Sequence, residues 1–86
     1  MAVCNIFFRD SVRKDLDVIP GGDLKRIIER IGRLADDPRP AGCEKLSRQE
    51  KYRVRQGNYR IVYSIQDNEL TVWMVKVGHR REVYRV

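Results

Sequence analysis

The residues best suited to chemistry in this sequence are basic side chains, one histidine and one tyrosine in its C-terminal half. Alternation along two predicted strands places four cations on the same side of a sheet: Lys51, Arg53, Arg55 and Arg60. The last eight residues add a second polar set: His79, Arg80, Arg81, Tyr84 and Arg85. Like charges on neighbouring strands destabilise a sheet unless something offsets them, and a phosphate backbone would do so.

Cations, a phenol and one imidazole are chemical groups that suit the cleavage of RNA better than that of DNA. The RNA 2′-hydroxyl can attack its neighbouring phosphodiester, so a protein has to supply a base, an acid for the leaving 5′-oxygen, and cations. DNA lacks this hydroxyl and would need a separate nucleophile. The sequence has no glycine-rich phosphate loop, no HExxH motif and no Ser/His/Asp set. Because its basic half also lacks a closely spaced carboxylate pair, we do not expect a magnesium-dependent nuclease centre.

Charge is distributed unevenly along the chain. The 18 Lys and Arg residues exceed the 12 Asp and Glu residues, which gives a net charge of +6. Residues 1–43 hold 8 basic and 7 acidic side chains, whereas residues 44–86 hold 10 and 5. A basic half on a small domain is typical of a protein that binds a polyanion. A surface that only maintains solubility is the alternative.

Length, hydropathy and cysteine content restrict the class of protein. We predict one domain over residues 1–86, because the chain is too short for two. No apolar run exceeds four residues, as in residues 72–75, which is far shorter than the roughly 20 residues of a membrane span, and we see no signal peptide. We therefore expect a cytoplasmic protein with no membrane partner. Cys4, Cys43 and His79 are too few for a zinc site, so we expect reduced packing cysteines and no metal.

The first half of the chain is predicted to form a strand and a helical hairpin. Residues 3–8 are β-prone, and Asp10 or Ser11 is expected to cap a helix with three apolar residues at helical spacing: Val12, Leu16 and Ile19. Residues 20–22 break this helix. Asp23 is expected to cap a second helix with one apolar stripe: Leu24, Ile27, Ile28, Ile31, Leu34 and Ala35.

The second half is predicted to form a three-stranded antiparallel meander. Turn signals at residues 57–58 and 67–68 separate segments with a period of two, over residues 51–55, 59–66 and 70–77. Gly78 is expected to end the sheet, and Trp73 is expected to lie in the core. The fold class is therefore α+β: an N-terminal strand, a two-helix hairpin, then the meander, with the helices on one face.

Two segments carry a family resemblance: YRVRQGNYRIVY at residues 52–63 and VGHRREVY at residues 77–84. Together with the strand and hairpin before them, they resemble the RelE family of bacterial toxin–antitoxin toxins over nearly the whole chain. The resemblance implies a compact, microbial-ribonuclease-like fold and a metal-independent, ribosome-dependent endoribonuclease that cuts messenger RNA in the A site. It implies no cofactor. The implied partners are the ribosome with its message and a cognate antitoxin, which is expected to contribute an acidic amphipathic helical segment.

The same resemblance implies roles for individual residues. Tyr84 matches the proposed general base of the family and Arg80 its proposed general acid. The cations that stabilise the transition state match Lys51, Arg53 and Arg60. Since an isolated tyrosine titrates near 10, cations close to Tyr84 are needed to favour its phenolate. Four further residues are expected to bind RNA or the ribosome: Arg55, Arg81, Arg85 and His79.

Other interpretations of these residues stay open. ParE-type toxins share this fold and poison DNA gyrase without cutting RNA, and a basic RNA-binding protein would keep the arginines without needing Tyr84. Lys51 and Arg55 could be charges that protect an edge strand from unwanted pairing. Tyr84 could anchor the tail, and His79 could be a surface residue rather than a proton shuttle.

Overall fold

One mixed five-stranded sheet forms the frame of the part of the chain that the computed structural model describes, residues 4–46 and 51–79. The strands are β1 (Asn5–Phe8), β2 (Glu44–Lys45), β3 (Lys51–Gln56), β4 (Tyr59–Gln66) and β5 (Thr71–His79). The helices are α1 (Asp10–Asp17) and α2 (Gly21–Asp36), and a short 3-10 turn, Asp67–Glu69, joins β4 to β5. The predicted α+β fold is confirmed.

The N-terminal strand enters the sheet beside the last strand of the meander. The strand order is β1-β5-β4-β3-β2, with β1 parallel to β5 and the other neighbours antiparallel. A parallel pair needs a long connection, which here contains both helices and the rest of the meander. The short strand β2, which pairs Glu44 with Arg53, is not predicted by the sequence. Two charged residues carry no periodicity that would indicate a strand.

Both helices pack on one face of the sheet and form the core with it. The predicted stripe of α2 is confirmed at Ile27, Ile31 and Leu34, which are buried, but not at Ile28, which is 44% exposed. Helix α1 contributes Val12. The sheet contributes eight buried side chains: Tyr52, Val54, Ile61, Tyr63, Ile65, Val72, Met74 and Val77. Burial of each large apolar side chain contributes about 1.5–3 kcal/mol to folding. The alternate residues of β3 consequently lie on the opposite face.

Both helices begin at different residues from those predicted. Neither Asp10 nor Ser11 caps α1, because the helix already begins at Asp10. Helix α2 begins at Gly21 with Pro20 as its N-cap residue, so Asp23 lies inside the first turn. Backbone N–H groups of a first turn have no intrahelical partner, so the two glycines join the helix through their own carbonyls, which accept from N–H groups one turn later. In that turn the carboxylate of Asp23 interacts favourably with the helix dipole.

Two predictions for the last strand are wrong. The sheet does not end at Gly78, because the β4–β5 ladder continues through the pairing of Gly78 with Arg60 and on to His79. Trp73 is half-buried and lies outside the core. Its neighbours Val72 and Met74 both point into the core, so alternation turns the indole to the other face.

Cys4 and Cys43 are both free thiols that pack half-buried against the core, as predicted. Within residues 4–46 and 51–79, no helix combines the length and apolar character that a membrane crossing requires. The same residues contain no group of three or more His, Cys, Asp or Glu side chains placed to share a metal ion.

Tyr63 joins the loop after α2 to the core. Its side chain is fully buried, its ring stacks on Tyr52 with centroids 5.9 Å apart, and its hydroxyl donates to the Pro38 carbonyl oxygen at 2.7 Å. Burial raises the pKa of Tyr63 well above its ordinary value of 10.0, and the nearby Cys43 thiol adds to the rise. The phenol therefore stays neutral and available as a hydrogen-bond donor.

Tyr63→Phe is expected to lower the free energy of unfolding by about 1–3 kcal/mol, because the Pro38 carbonyl loses its partner. A raised tyrosine pKa stabilises the fold below about pH 10, and this contribution is lost as the pH rises further, since only the unfolded state then releases the proton. The wild-type protein should therefore lose stability more steeply than the variant above about pH 10. Urea unfolding across this range measures both effects, and parallel pH profiles would contradict the role of Tyr63.

Candidate nucleic-acid interface

Four of the predicted site residues lie on the face of the sheet opposite the helices. Lys51, Arg53 and Arg55 alternate along β3 with residues that are buried in the core, and Arg60 projects to the same side from β4. We call the surface formed by Lys51, Arg53, Arg55 and Arg60 the cationic face. The structure thus brings these four side chains to one side of the sheet, as their alternation predicts.

Strand pairing arranges the cationic face in rows that cross the sheet. Arg55 lies directly opposite Arg60, and Gly78 of β5 continues this row without a side chain. In the next row, Arg53 lies opposite Val62. Residues directly opposite in an antiparallel pair have Cα atoms about 4.5–5.5 Å apart, so Arg55 and Arg60 leave the sheet from adjacent positions on the same face. Such a pair of like charges is destabilising by itself and favours an anion between its members.

Val62 gives the cationic face an apolar floor. It is fully buried although it points away from the helical core, and Arg53 beside it has a side chain only 19% exposed. Long basic side chains cover apolar surface with their aliphatic stems while their charged ends reach water. A guanidinium above such a floor interacts with an anion more strongly than one surrounded by water.

Two arginines of the cationic face are held in place by neighbours. The Nη2 of Arg53 donates to Oε2 of Glu44 at 2.5 Å, and this carboxylate is 65% exposed. The Nε of Arg55 donates to the Gly57 carbonyl oxygen at 3.1 Å in the β3–β4 turn, where Gly57 has a positive φ of 60° that favours glycine. Glu44 therefore occupies the position of an anionic ligand at Arg53, and an incoming phosphate would compete with it.

One extra residue in β5 turns His79 away from the cationic face. Val75 has no partner in the β4–β5 register and reverses the alternation of the residues after it. Val77 consequently lies in the core, and His79 lies on the same side, edge-to-face with Tyr59 at 5.8 Å between ring centroids. There it lines a small groove of about 150 Å³ together with Asp15. The structure does not group His79 with the four cations, and its part in RNA binding stays a prediction.

The remaining predicted site residues lie outside the described residues: Arg80, Arg81, Tyr84 and Arg85. Their roles also stay predictions. Conversely, two features of this side of the sheet are not predicted from the sequence: the carboxylate of Glu44 and an aromatic pair formed by Phe7 and Trp73. Alternation along β5 could have placed Trp73 correctly, whereas the pairing of β1 with β5 has no local signal.

Comparison with solved structures relates the fold to toxins. A chain of the RelBE2 toxin–antitoxin complex from Mycobacterium tuberculosis matches with a TM-score of 0.80 and 30% identity, covering 91% of this chain and 99% of that one. The isolated E. coli RelE toxin matches with a TM-score of 0.79, covering 91% of this chain and 84% of that one. At 18% identity, the second match shows a shared fold only.

Sequence comparison decides the family. The model described as "ParE toxin of type II toxin-antitoxin system, parDE" matches residues 6–84. This chain belongs to the RelE/ParE family of type II toxins. Toxin RelG of Mycobacterium tuberculosis is 34% identical over 82 residues, which are 91% of this toxin and 92% of RelG. The resemblance carried by the two motifs is confirmed, and RelBE2 shows that a relative of this toxin forms a complex with its antitoxin.

Glu44→Gln is expected to tighten the binding of a polyanion to this toxin by up to about fivefold, because Arg53 loses the carboxylate that competes with phosphate. A single-stranded DNA oligonucleotide is a suitable probe, since it has no 2′-hydroxyl and cannot be cut by 2′-hydroxyl attack. Glu69→Gln changes the net charge equally but lies in the 3-10 turn, outside the rows of the cationic face. Equal tightening by both substitutions, measured by fluorescence anisotropy, would show that only net charge matters.

Proposed function

We propose that this toxin is a metal-independent endoribonuclease that inhibits translation by cutting messenger RNA in the ribosomal A site, in the cytoplasm. The observation that carries the proposal is the placement of four cations on one face of the sheet, with Arg55 and Arg60 directly opposite each other. A fold that holds like charges together above the apolar floor at Val62 is suited to a phosphate ligand. Kinship with toxins named for RelE supports RNA as the source of that phosphate.

The proposed reaction is attack by the 2′-hydroxyl of the RNA on its own phosphodiester. Tyr84, as phenolate, takes the proton of the 2′-hydroxyl, whose oxygen bonds to phosphorus while the bond to the 5′-oxygen breaks. Arg80 donates a proton to that leaving oxygen. Lys51, Arg53 and Arg60 offset the negative charge that builds on the other phosphate oxygens, which is where fixed cations accelerate such a reaction most. The products are a 2′,3′-cyclic phosphate and a 5′-hydroxyl.

The proposed partner in the resting state is an antitoxin segment that is acidic, amphipathic and helical. A toxin with a net charge of +6 should attract such a segment quickly and in a salt-sensitive manner. Apolar contacts should set the lifetime of the complex, with the segment either covering the cationic face or displacing the tail. We expect the purified pair to remain associated in moderate salt. Dissociation by moderate salt alone would show that apolar contacts contribute little.

Cell-free translation with mapping of message ends, with and without the toxin, tests the proposed function. We expect cuts in the translated message whose upstream fragments end in a 2′,3′-cyclic phosphate or a 3′-phosphate. Cutting should survive EDTA as long as the ribosomes stay intact, and a message with a 2′-deoxy nucleotide at the scissile position should resist. A 3′-hydroxyl product, or cutting at the deoxy position, would overturn the mechanism. Ribosome binding with an intact message would indicate an RNA-binding protein instead.

Poisoning of DNA gyrase is the second candidate function, because the matching family model is that of ParE toxins. A gyrase-binding protein has no need of the combination of Lys51, Arg53, Arg60, Arg80 and Tyr84. A supercoiling assay with purified DNA gyrase separates the two functions. We expect no inhibition at toxin concentrations that block translation. Inhibited supercoiling together with uncut message would favour the ParE-type function.

A further inference from the structure

Two aromatic rings lie side by side on the same side of the sheet as the cationic face. Phe7 of β1 pairs with Trp73 of β5, and their rings stack with centroids 5.0 Å apart and planes 28° from parallel. Phe7 is 45% exposed and Trp73 is half-buried, whereas the residues on either side of each point into or against the core. The pair therefore presents an aromatic surface away from the core.

The placement of Trp73 outside the core is unusual, because tryptophan is the largest aromatic residue of this small domain. Trp73 is the single tryptophan of the chain, and burying so large an apolar side chain in the core would stabilise a domain of this size. A cross-strand aromatic pair stabilises the β1–β5 edge by less than full burial of the indole would. A ligand that stacks on the rings would bury the ring surface that the fold leaves exposed.

The aromatic pair continues a row of the cationic face. Pairing across the sheet runs from Phe7 to Trp73, from Trp73 to Ser64, and from Ser64 to Lys51. With strands about 4.7–4.9 Å apart, Lys51 lies about 10 Å from Trp73 across the sheet. A ligand that places a phosphate at Lys51 can therefore place a neighbouring planar group on the rings.

Polar side chains line a cleft beside the indole. Trp73 lines a cleft of about 330 Å³ together with Arg9, Ser64 and Gln66. These side chains carry hydrogen-bond donors and, in Ser64 and Gln66, acceptors as well, which are the groups that the edge of a nucleobase requires. Arg9 at the cleft and Lys51 further along the Trp73 row supply positive charge, which favours an anionic strand over the apolar face of a protein helix.

We propose that Phe7 and Trp73 form a stacking site for one nucleobase of a single-stranded RNA whose phosphates lie on the cationic face, with Arg9, Ser64 and Gln66 contacting the edge of that base. The proposal rests on the proposed function, because it takes RNA as the ligand. Aromatic platforms combined with a cationic track are a common way to hold single strands with little sequence preference. The stacking site would position the message relative to the cations that act on its phosphodiester.

The fluorescence of Trp73 reports stacking directly, since no other tryptophan contributes. The probe is a short 2′-O-methyl RNA oligonucleotide, which cannot be cut through its 2′-position, and the control ligand is inorganic polyphosphate. We expect the oligonucleotide to quench the indole at low salt and polyphosphate to bind without quenching. Binding of the oligonucleotide without quenching, or no binding at all, would overturn the stacking site.

Substitutions then separate stacking from folding and from charge. Trp73→Leu should weaken oligonucleotide binding roughly 5- to 150-fold with an unchanged salt slope and little effect on polyphosphate. Trp73→Phe should restore most of the affinity, and Phe7→Leu should weaken binding less than Trp73→Leu does.

Equal weakening of oligonucleotide and polyphosphate binding would indicate structural damage and would contradict the proposal. Quenching of the indole by an antitoxin peptide, without quenching by the oligonucleotide, would also contradict it. If a Trp73→Leu protein cuts message normally and binds the oligonucleotide with full affinity, the proposed stacking site is wrong. The proposed ribonuclease function would then still stand.

Discussion

Tyr84→Phe is expected to slow message cleavage on programmed ribosomes by more than about a hundredfold while leaving ribosome binding nearly unchanged. The substitution keeps the aromatic ring and deletes only the hydroxyl, so the proposed base is lost without removal of the ring. An interaction made only in the transition state affects the chemical step rather than binding. Single-turnover cleavage at saturating toxin measures that step without a contribution from association or product release.

Tyr59→Phe is the matched control for this experiment. It removes the same hydroxyl from a tyrosine that packs against the core and His79, on the helix side of the sheet. We expect it to cut at close to the normal rate. A normal rate for Tyr84→Phe would remove Tyr84 from the mechanism and leave His79 as the candidate base, although His79 faces away from the cationic face. His79→Gln would then test that possibility.

Arg60→Gln is expected to lower the rate of the chemical step by about 10²–10³, because a fixed cation that stabilises the developing charge is removed. Arg55→Gln is the natural comparison, since it removes the other member of the same cross-strand pair. We expect Arg55→Gln to reduce the slope of log affinity against log salt by roughly 0.7–0.9 and to leave the chemical step almost unchanged. Ribosome binding across a salt series and single-turnover cleavage distinguish the two effects.

Thermal unfolding supplies an independent check on both arginine variants. Either substitution relieves the repulsion between Arg55 and Arg60, which is about 0.2–1 kcal/mol for a cross-strand pair of like charges. Since Arg55→Gln also removes the hydrogen bond to the Gly57 carbonyl oxygen, we expect only small changes in stability, about 1 kcal/mol or less, for either variant. A large loss of stability for Arg60→Gln would indicate that Arg60 supports the fold. Identical cleavage defects in the two variants would contradict the division between binding and chemistry.

Short-range periodicity accounts for the parts of this fold that the sequence predicts well. The apolar stripe of α2 and the alternation of β3 both repeat every few residues. The repeat alone therefore predicts which side chains of each element face the core. Lys51, Arg53 and Arg55 could be placed on one face for this reason alone. Helix starts were predicted less well, because the glycines before Asp23 are tolerated in a first turn although they suggest a break.

Long-range pairing accounts for what the sequence could not predict. Phe7 and Trp73 meet only because β1 joins the sheet in parallel beside β5, and Glu44 reaches Arg53 only through a two-residue strand. The extra residue at Val75 reverses the alternation of β5 and places His79 on the helix side. Each of these outcomes depends on backbone hydrogen bonds between distant segments.

Local sequence patterns are sufficient to predict that this toxin has an α+β fold, that four of its cations share one face of the sheet and, through two motifs, that it belongs to the RelE/ParE family. Those properties follow from local alternation, helical periodicity and residue identity. The three-dimensional fold is needed to show that Arg55 lies opposite Arg60, that Glu44 binds Arg53, and that an aromatic pair extends the Lys51 row. These depend on strand order and register, which are selected by the packing of the whole core rather than by any one segment.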